Sequence, residues 1–264
     1  MPFPKHQRVI YKRNPLSEVI CQLRFPTILR IGTNDIAGFQ DKIRSEYPLY
    51  ESKEAAIEFL NVPQEFSAIF DKLSLPGPSI NTHRFLSQDK KRFIALSRDF
   101  LAYSDMDYQR WEDFKCKVIN SEKALQESFK PAFYSRIGLR YKDIINPQEL
   151  GLPDCNWNDL LQPYVIGELG DANISADIPE IMTQTTIKIN DIPGSQVIFR
   201  HGLTKEKAKS GASYVIDADF SIMQTEEKYG TIDVLEVFHE LAGRLFRWAI
   251  TDYFDKALEP KVVE

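Results

Sequence analysis

The segment 133–147, FYSRIGLRYKDIINP, restricts the fold more than any other part of the chain. Ile137, Leu139 and Tyr141 alternate with Arg136, Arg140 and Lys142, and Gly138 lies among them. A period of two sends successive side chains to opposite faces of a strand, so this strand has one apolar face and one cationic face. The segment 14–26, NPLSEVICQLRFP, has the same design: Val19, Cys21, Leu23 and Phe25 point one way, Gln22 and Arg24 the other. Both carry Leu-Arg-aromatic, as Leu23-Arg24-Phe25 and Leu139-Arg140-Tyr141. Two such segments predict two central strands of a sheet.

The pattern around the first strand predicts a helix with Ile36, Phe39 and Ile43 on one face. Thr33-Asn34-Asp35 offers its N-cap, and Pro48 ends it. Residues 51–63 fit either a short helix or a loop. Phe66, Ala68 and Phe70 alternate as a strand, and LPGPSINT at 75–82 is rich in turn residues. His83–Ser87 and Arg92–Tyr103 flank Gln88-Asp89-Lys90-Lys91 and read as a hairpin. Its second arm, RFIALSRDFLAY, is apolar enough for a central strand. Trp111, Phe114, Val118, Leu125 and Phe129 keep the 3.6-residue spacing of a long helix over 108–129, stopped by Pro131.

The second half repeats this order. A helix is expected over 157–168, then extended segments at 173–178, 181–189, 195–203 and 214–223. A last helix over 231–257 should bury Leu235, Phe238, Ala242, Leu245, Ala249 and Tyr253. The expectation is an α+β protein with a mainly antiparallel sheet and helices on one face. Its two similar halves, 1–130 and 131–264, each run strand, helix, about three strands, long helix, as an internal duplication would produce. That order is similar to the saddle of the TATA-binding protein, a likeness of topology that carries no function with it.

The signature NPL-x-EV-x-x-Q-x-RF at the N-terminus, followed near mid-chain by RIGLRY, resembles a sporadically distributed bacterial family of about this length. The last helix, HELAGRLFRWAIT at 239–251, also fits that family's ending. This chain departs from the pattern where Lys142-Asp143 stand in place of Ile-Asn after the RY pair. The resemblance implies an architecture and a bacterial cytoplasmic setting, and it brings no catalytic residues. Sporadic distribution suits accessory modules such as toxin–antitoxin or phage-defence components.

With 264 residues and a hydrophobic share of 43%, the chain can bury a large core. It contains no apolar run near the ~20 residues that cross a membrane, and no apolar leader is evident at the N-terminus. Cys21, Cys116 and Cys155 are far apart in sequence and read as reduced thiols. A net charge of −5 argues against nucleic-acid binding through bulk charge, although a local basic face remains open to it.

Phosphate loops, zinc-protease, dinucleotide and nucleophile-elbow motifs are all missing, and no cofactor is expected. His6, His83, His201 and His239 are scattered. Two constellations remain. Asp217 and Asp219, two apart on the strand VIDADF, project from one face as a divalent ion requires. This gives the alternative of a metal-dependent nuclease or hydrolase, with acids on a solvated strand as the plainer account.

Gln22, Arg24, Arg136, Arg140 and Lys142 form the second. If the two leading strands are neighbours, these side chains converge into one basic patch suited to phosphate or carboxylate. Asp217, Asp219 and Glu18 on the same face would instead neutralise them as cross-strand pairs. The leading expectation is a non-enzymatic binding or regulatory protein that holds a protein partner or an anionic ligand on the open face of the sheet, opposite the helices. Direct nucleic-acid binding on the basic face is the third reading.

Overall fold

The computed structural model describes residues 2–32, 36–55, 80–204, 211–224 and 228–263. The strands are β1 (Val9–Tyr11), β2 (Leu16–Arg24), β3 (Leu49–Ala55), β4 (Ile80–Leu86), β5 (Arg92–Ser97), β6 (Phe100–Asp105), β7 (Arg136–Ile145), β8 (Thr183–Ile189), β9 (Ser195–Thr204), β10 (Ser213–Met223) and β11 (Pro260–Val262). The helices are α1 (Ile36–Ile43), α2 (Trp111–Phe129), α3 (Trp157–Leu160), α4 (Pro163–Ile166), α5 (Thr231–Ala249) and α6 (Asp252–Ala257). The fold is α+β. Nine strands form one open sheet in the order β3-β4-β5-β6-β2-β7-β10-β9-β8, while β1 and β11 pair in a separate ribbon.

The two leading strands, β2 and β7, are neighbours in that order. Read outward from β2 the strands descend β6, β5, β4, β3, and outward from β7 they descend β10, β9, β8. Each leading strand therefore lies beside the last strand to follow it before a long helix. By packing, the chain divides into two compact units, one of 1–17, 141–220 and 237–264 and the other of 18–140 and 221–236. These divisions fall inside β2, β7, β10 and α5.

In the unit built on 18–140, the alternation of β2 appears as expected. Val19 and Leu23 are wholly buried and Cys21 and Phe25 nearly so, while Gln22 and Arg24 are half-buried. Phe39 of α1 packs on Phe85 and Phe129, with ring centres 5.5 and 6.2 Å apart, and Tyr103 of β6 packs on Phe114 of α2 at 5.1 Å. The helices thus cover the face that carries Phe85 and Tyr103.

The opposite face corrects an expectation. It is not solvated along β4–β6, where Leu86, Phe93, Ala95, Phe100 and Ala102 form a buried apolar cluster with Ile20 packed against it. A second correction concerns RFIALSRDFLAY, which is two strands. Ser97 pairs with Phe100 across the turn Arg98-Asp99, because this charged pair interrupts the apolar run and turns the chain back. Residues 49–55 are strand rather than helix or loop. The cap at 33–35 and the strand at 66–70 lie outside the described residues.

In the other unit, Phe220 of β10 meets Phe238 of α5 at 5.9 Å, and Tyr141 Oη lies 2.8 Å from His239 Nδ1. Two expected helices are broken here. The helix over 157–168 becomes α3 and α4, because Pro163 lacks a backbone N–H and keeps Gln162 extended at ψ 144. The last helix stops at Ala249. Thr251 Oγ1 then accepts from the N–H of Phe254 at 3.1 Å and caps α6, while Gln162 Nε2 donates to the carbonyl of Ile250 at 2.9 Å. The break shifts the helical phase, so Tyr253 is 52% exposed instead of buried and Phe254 is in the core. Residues 173–178 are not extended, since a 3-10 turn occupies Ser175–Asp177.

The Phe238→Ala variant tests how far the core depends on α5. Phe238 is wholly buried, and truncating such a ring costs about 3–5 kcal/mol against a total of about 5–15 kcal/mol. We expect a large drop in the urea midpoint. A midpoint within experimental error of wild type would show that α5 is dispensable to the core.

Candidate functional site

Gly138 decides how the cationic face of β7 is arranged. A Cβ at this position would lie 2.1 Å from Arg136 Nη1 and 2.8 Å from its Cζ, so the guanidinium occupies the space that a side chain here would fill. From there Arg136 Nη1 donates to Gln22 Oε1 at 3.0 Å. The structure therefore brings together Gln22 and Arg136, which are 114 residues apart. Arg24 is half-buried opposite Phe100 of β6. Arg136, Arg140 and Lys142 are all half-buried, and none is without a partner. Gln22, Arg24, Arg136 and Arg140 belong to one packing unit, and Lys142, Asp217 and Asp219 to the other.

The acid pair is also committed. Asp217 Oδ2 accepts from Arg200 Nη1 at 3.2 Å, and these side chains are 0% and 3% exposed. Arg200 Nε in turn donates to Gln184 Oε1 at 2.8 Å. Asp219 is buried and has a partner. A wholly buried carboxylate held by a guanidinium is a structural pair, whose loss on one side leaves an uncompensated charge. Among the described residues, no group of three or more His, Cys, Asp or Glu is placed to hold a metal ion. Arg200 and Gln184 went unremarked in the sequence because their role depends on which strands become neighbours.

Asp143 is a further residue that the pattern did not single out. It is 7% exposed, and burial, followed by the negative charge of Asp217, pushes its carboxyl up to about 8. At neutral pH it is largely protonated. The interruption of the RIGLRY pattern by Lys142-Asp143 is the only sequence signal for it.

The histidines do not cluster into a catalytic set. Tyr214 Oη donates to the carbonyl of Val165 at 2.9 Å, so its oxygen is left to accept from His201 Nδ1 at 2.7 Å. Burial pushes His201 down to about 4, which keeps it neutral. His239 is bound to Tyr141, and Tyr50 Oη lies 2.9 Å from His83 Nδ1. The three cysteines are unpaired, and burial pushes the Cys21 thiol well above its ordinary value. A groove of about 340 Å³ between α1 and α2 is crossed by the ion pairs Lys42–Glu127 and Lys117–Glu46. Exposed pairs of this kind are worth little, and Lys123 lines the same groove.

Among the described residues the sheet ends at β3 on one side and at β8 on the other. The strand β8 pairs with β9 over its whole length, from Thr183 opposite His201 to Ile189 opposite Ser195. Just ahead of it, the N–H of Ile181 donates to the carbonyl of Leu203 at 3.1 Å, in the same register. In an antiparallel pair alternate residues bond to the neighbour, so 183, 185, 187 and 189 face β9. Gln184, Thr186 and Lys188 then turn their N–H and C=O groups outward. Thr183 through Thr186 and Lys188 are exposed. Compared with models of protein families and with curated proteins, the chain matches none.

Two variants probe this region. Gly138→Ala should force the Arg136 guanidinium off Gln22 and lower the melting temperature. Combined with Arg136→Ala, it should add almost nothing to the effect of Arg136→Ala alone, because the clash has gone. Additive losses in the double-mutant cycle would mean that Gly138 serves something other than Arg136.

Asp143→Asn probes pH dependence. An unfolded Asp143 titrates near 3.8 and the folded one near 8. Between those values the unfolded chain has released a proton that the folded chain keeps, so stability falls as pH rises through the window and levels off above 8. Each pH unit is worth about 1.36 kcal/mol at most. The asparagine variant should therefore gain on wild type steadily from pH 5 to pH 8 in urea denaturation. Parallel stability curves would show that Asp143 is ionised in the folded protein.

Proposed function

We propose that this protein is a binding module that works through association with protein, taking up an extended segment as an added strand along β8. The observation that carries this reading is the exposed seven-residue edge with its outward N–H and C=O groups. A row of unpaired backbone groups at a sheet edge is a template for another strand. Backbone groups supply the affinity in such additions, and alternate side chains supply selectivity.

Edge strands in proteins that avoid association are blunted by proline, by bulges or by several charges. Here Thr183–Ile189, TQTTIKI, has no proline or glycine and a single charge, Lys188, and its pairing with β9 is regular. Polar groups of the types that carry chemistry are meanwhile held in internal pairs: Asp217 with Arg200, His201 with Tyr214 and His239 with Tyr141. A binding role also accords with the bacterial accessory setting that the sequence resemblance implies.

Thr186→Pro tests the proposal. The N–H it removes points away from β9, so the internal ladder is intact and edge proline is tolerated. The ring blocks the outer edge. Tagged wild type and variant, passed through extract of the cells that make the protein, should differ in what they retain. Loss of a specific retained protein, with a melting temperature within a few degrees of wild type, is the expected outcome. Identical retention by both would overturn strand addition at β8.

A further inference from the structure

We propose that a second copy of this chain is the strand that β8 takes up, the two β8 strands pairing antiparallel about a two-fold axis at Thr186. This rests on the reading of β8 as the association element, and adds a partner and a register to it. The argument is geometric. β8 has seven residues, Thr183 to Ile189, whose midpoint is Thr186. An antiparallel self-pairing that overlaps the whole strand must be centred there. The phase set by the Ile181–Leu203 bond turns the N–H and C=O groups of Gln184, Thr186 and Lys188 toward that edge, so these three residues form the hydrogen-bonded pairs.

In this register Thr186 faces its own counterpart, and Gln184 faces Lys188 of the second copy in both directions. The three pairs supply about six backbone hydrogen bonds. Threonine opposite threonine is a favourable cross-strand pair, and no like charges meet. Centring on Lys188 would set two ammonium groups against each other, while centring on Gln184 would leave the end of each strand unpaired. The two-fold contact is self-complementary and closes, so it stops at a dimer.

Sedimentation of the full chain at high micromolar concentration tests this. Wild type should be a dimer. Thr186→Lys and Thr186→Glu each place like charges across the axis, and each should be monomeric, with dissociation raised at least ~tenfold. An equimolar mixture of the two should dimerise again, since lysine now faces glutamate. Thr186 is exposed, so both variants should melt as wild type does, which separates loss of pairing from loss of fold. A monomeric wild type would overturn the self-pairing and leave strand addition to be judged on Thr186→Pro retention alone. A dimer indifferent to both charges, or a mixture that stays monomeric, would equally overturn the inference.

Discussion

A strand buried on both faces cannot leave a charge unpaired, and most of this structure follows from that constraint. Every residue of β10 except Met223 is buried. Asp217 on that strand is wholly enclosed, and it is stable there because Arg200 meets it from β9, itself held by Gln184 of β8. Removing water from two charges costs several kcal/mol per ion, and only close geometry with further hydrogen bonds offsets it. The pair thereby ties three successive strands together through side chains as well as backbone.

The same constraint sets the protonation of groups that find no counter-ion. Asp143 is pushed up to about 8 and His201 down to about 4, each toward its neutral form. His201 also donates its Nδ1–H to the Tyr214 hydroxyl, which in turn donates to the carbonyl of Val165. These groups have the perturbed values often found at reactive sites, but burial is the first cause of both shifts. Perturbation of this kind is a mark of enclosure before it is a mark of chemistry. Unsatisfied capacity is found instead in the backbone of an edge strand, where no neighbour among the described residues closes the ladder.

Much of the fold was legible in sequence because burial periodicity is local. Leu23 and Leu139 are both wholly buried on strands that are neighbours in the sheet, as their alternation required. Trp111, Phe114, Val118, Leu125 and Phe129 all face inward from α2. The failures have local causes too. Arg98-Asp99 turned one expected strand into two, Pro163 split a helix, and Thr251 capped a new one where continuity was expected. Each break involves one or two residues inside a stronger periodic signal, and only competition with the surrounding packing shows which prevails.

The candidate site was less legible, for a different reason. Alternation by itself determined that Gln22 and Arg24 share one face of their strand, that Arg136, Arg140 and Lys142 share one face of theirs, and that Asp217 and Asp219 share one face of a third. Tertiary structure alone decided that Arg136 lies across Gly138 onto Gln22, that Asp217 belongs to Arg200, and that β3 and β8 are the strands left at the edges. A period of two states which way a side chain points and nothing about what stands opposite. That second fact comes from strand order and register, which depend on contacts between residues far apart in the chain.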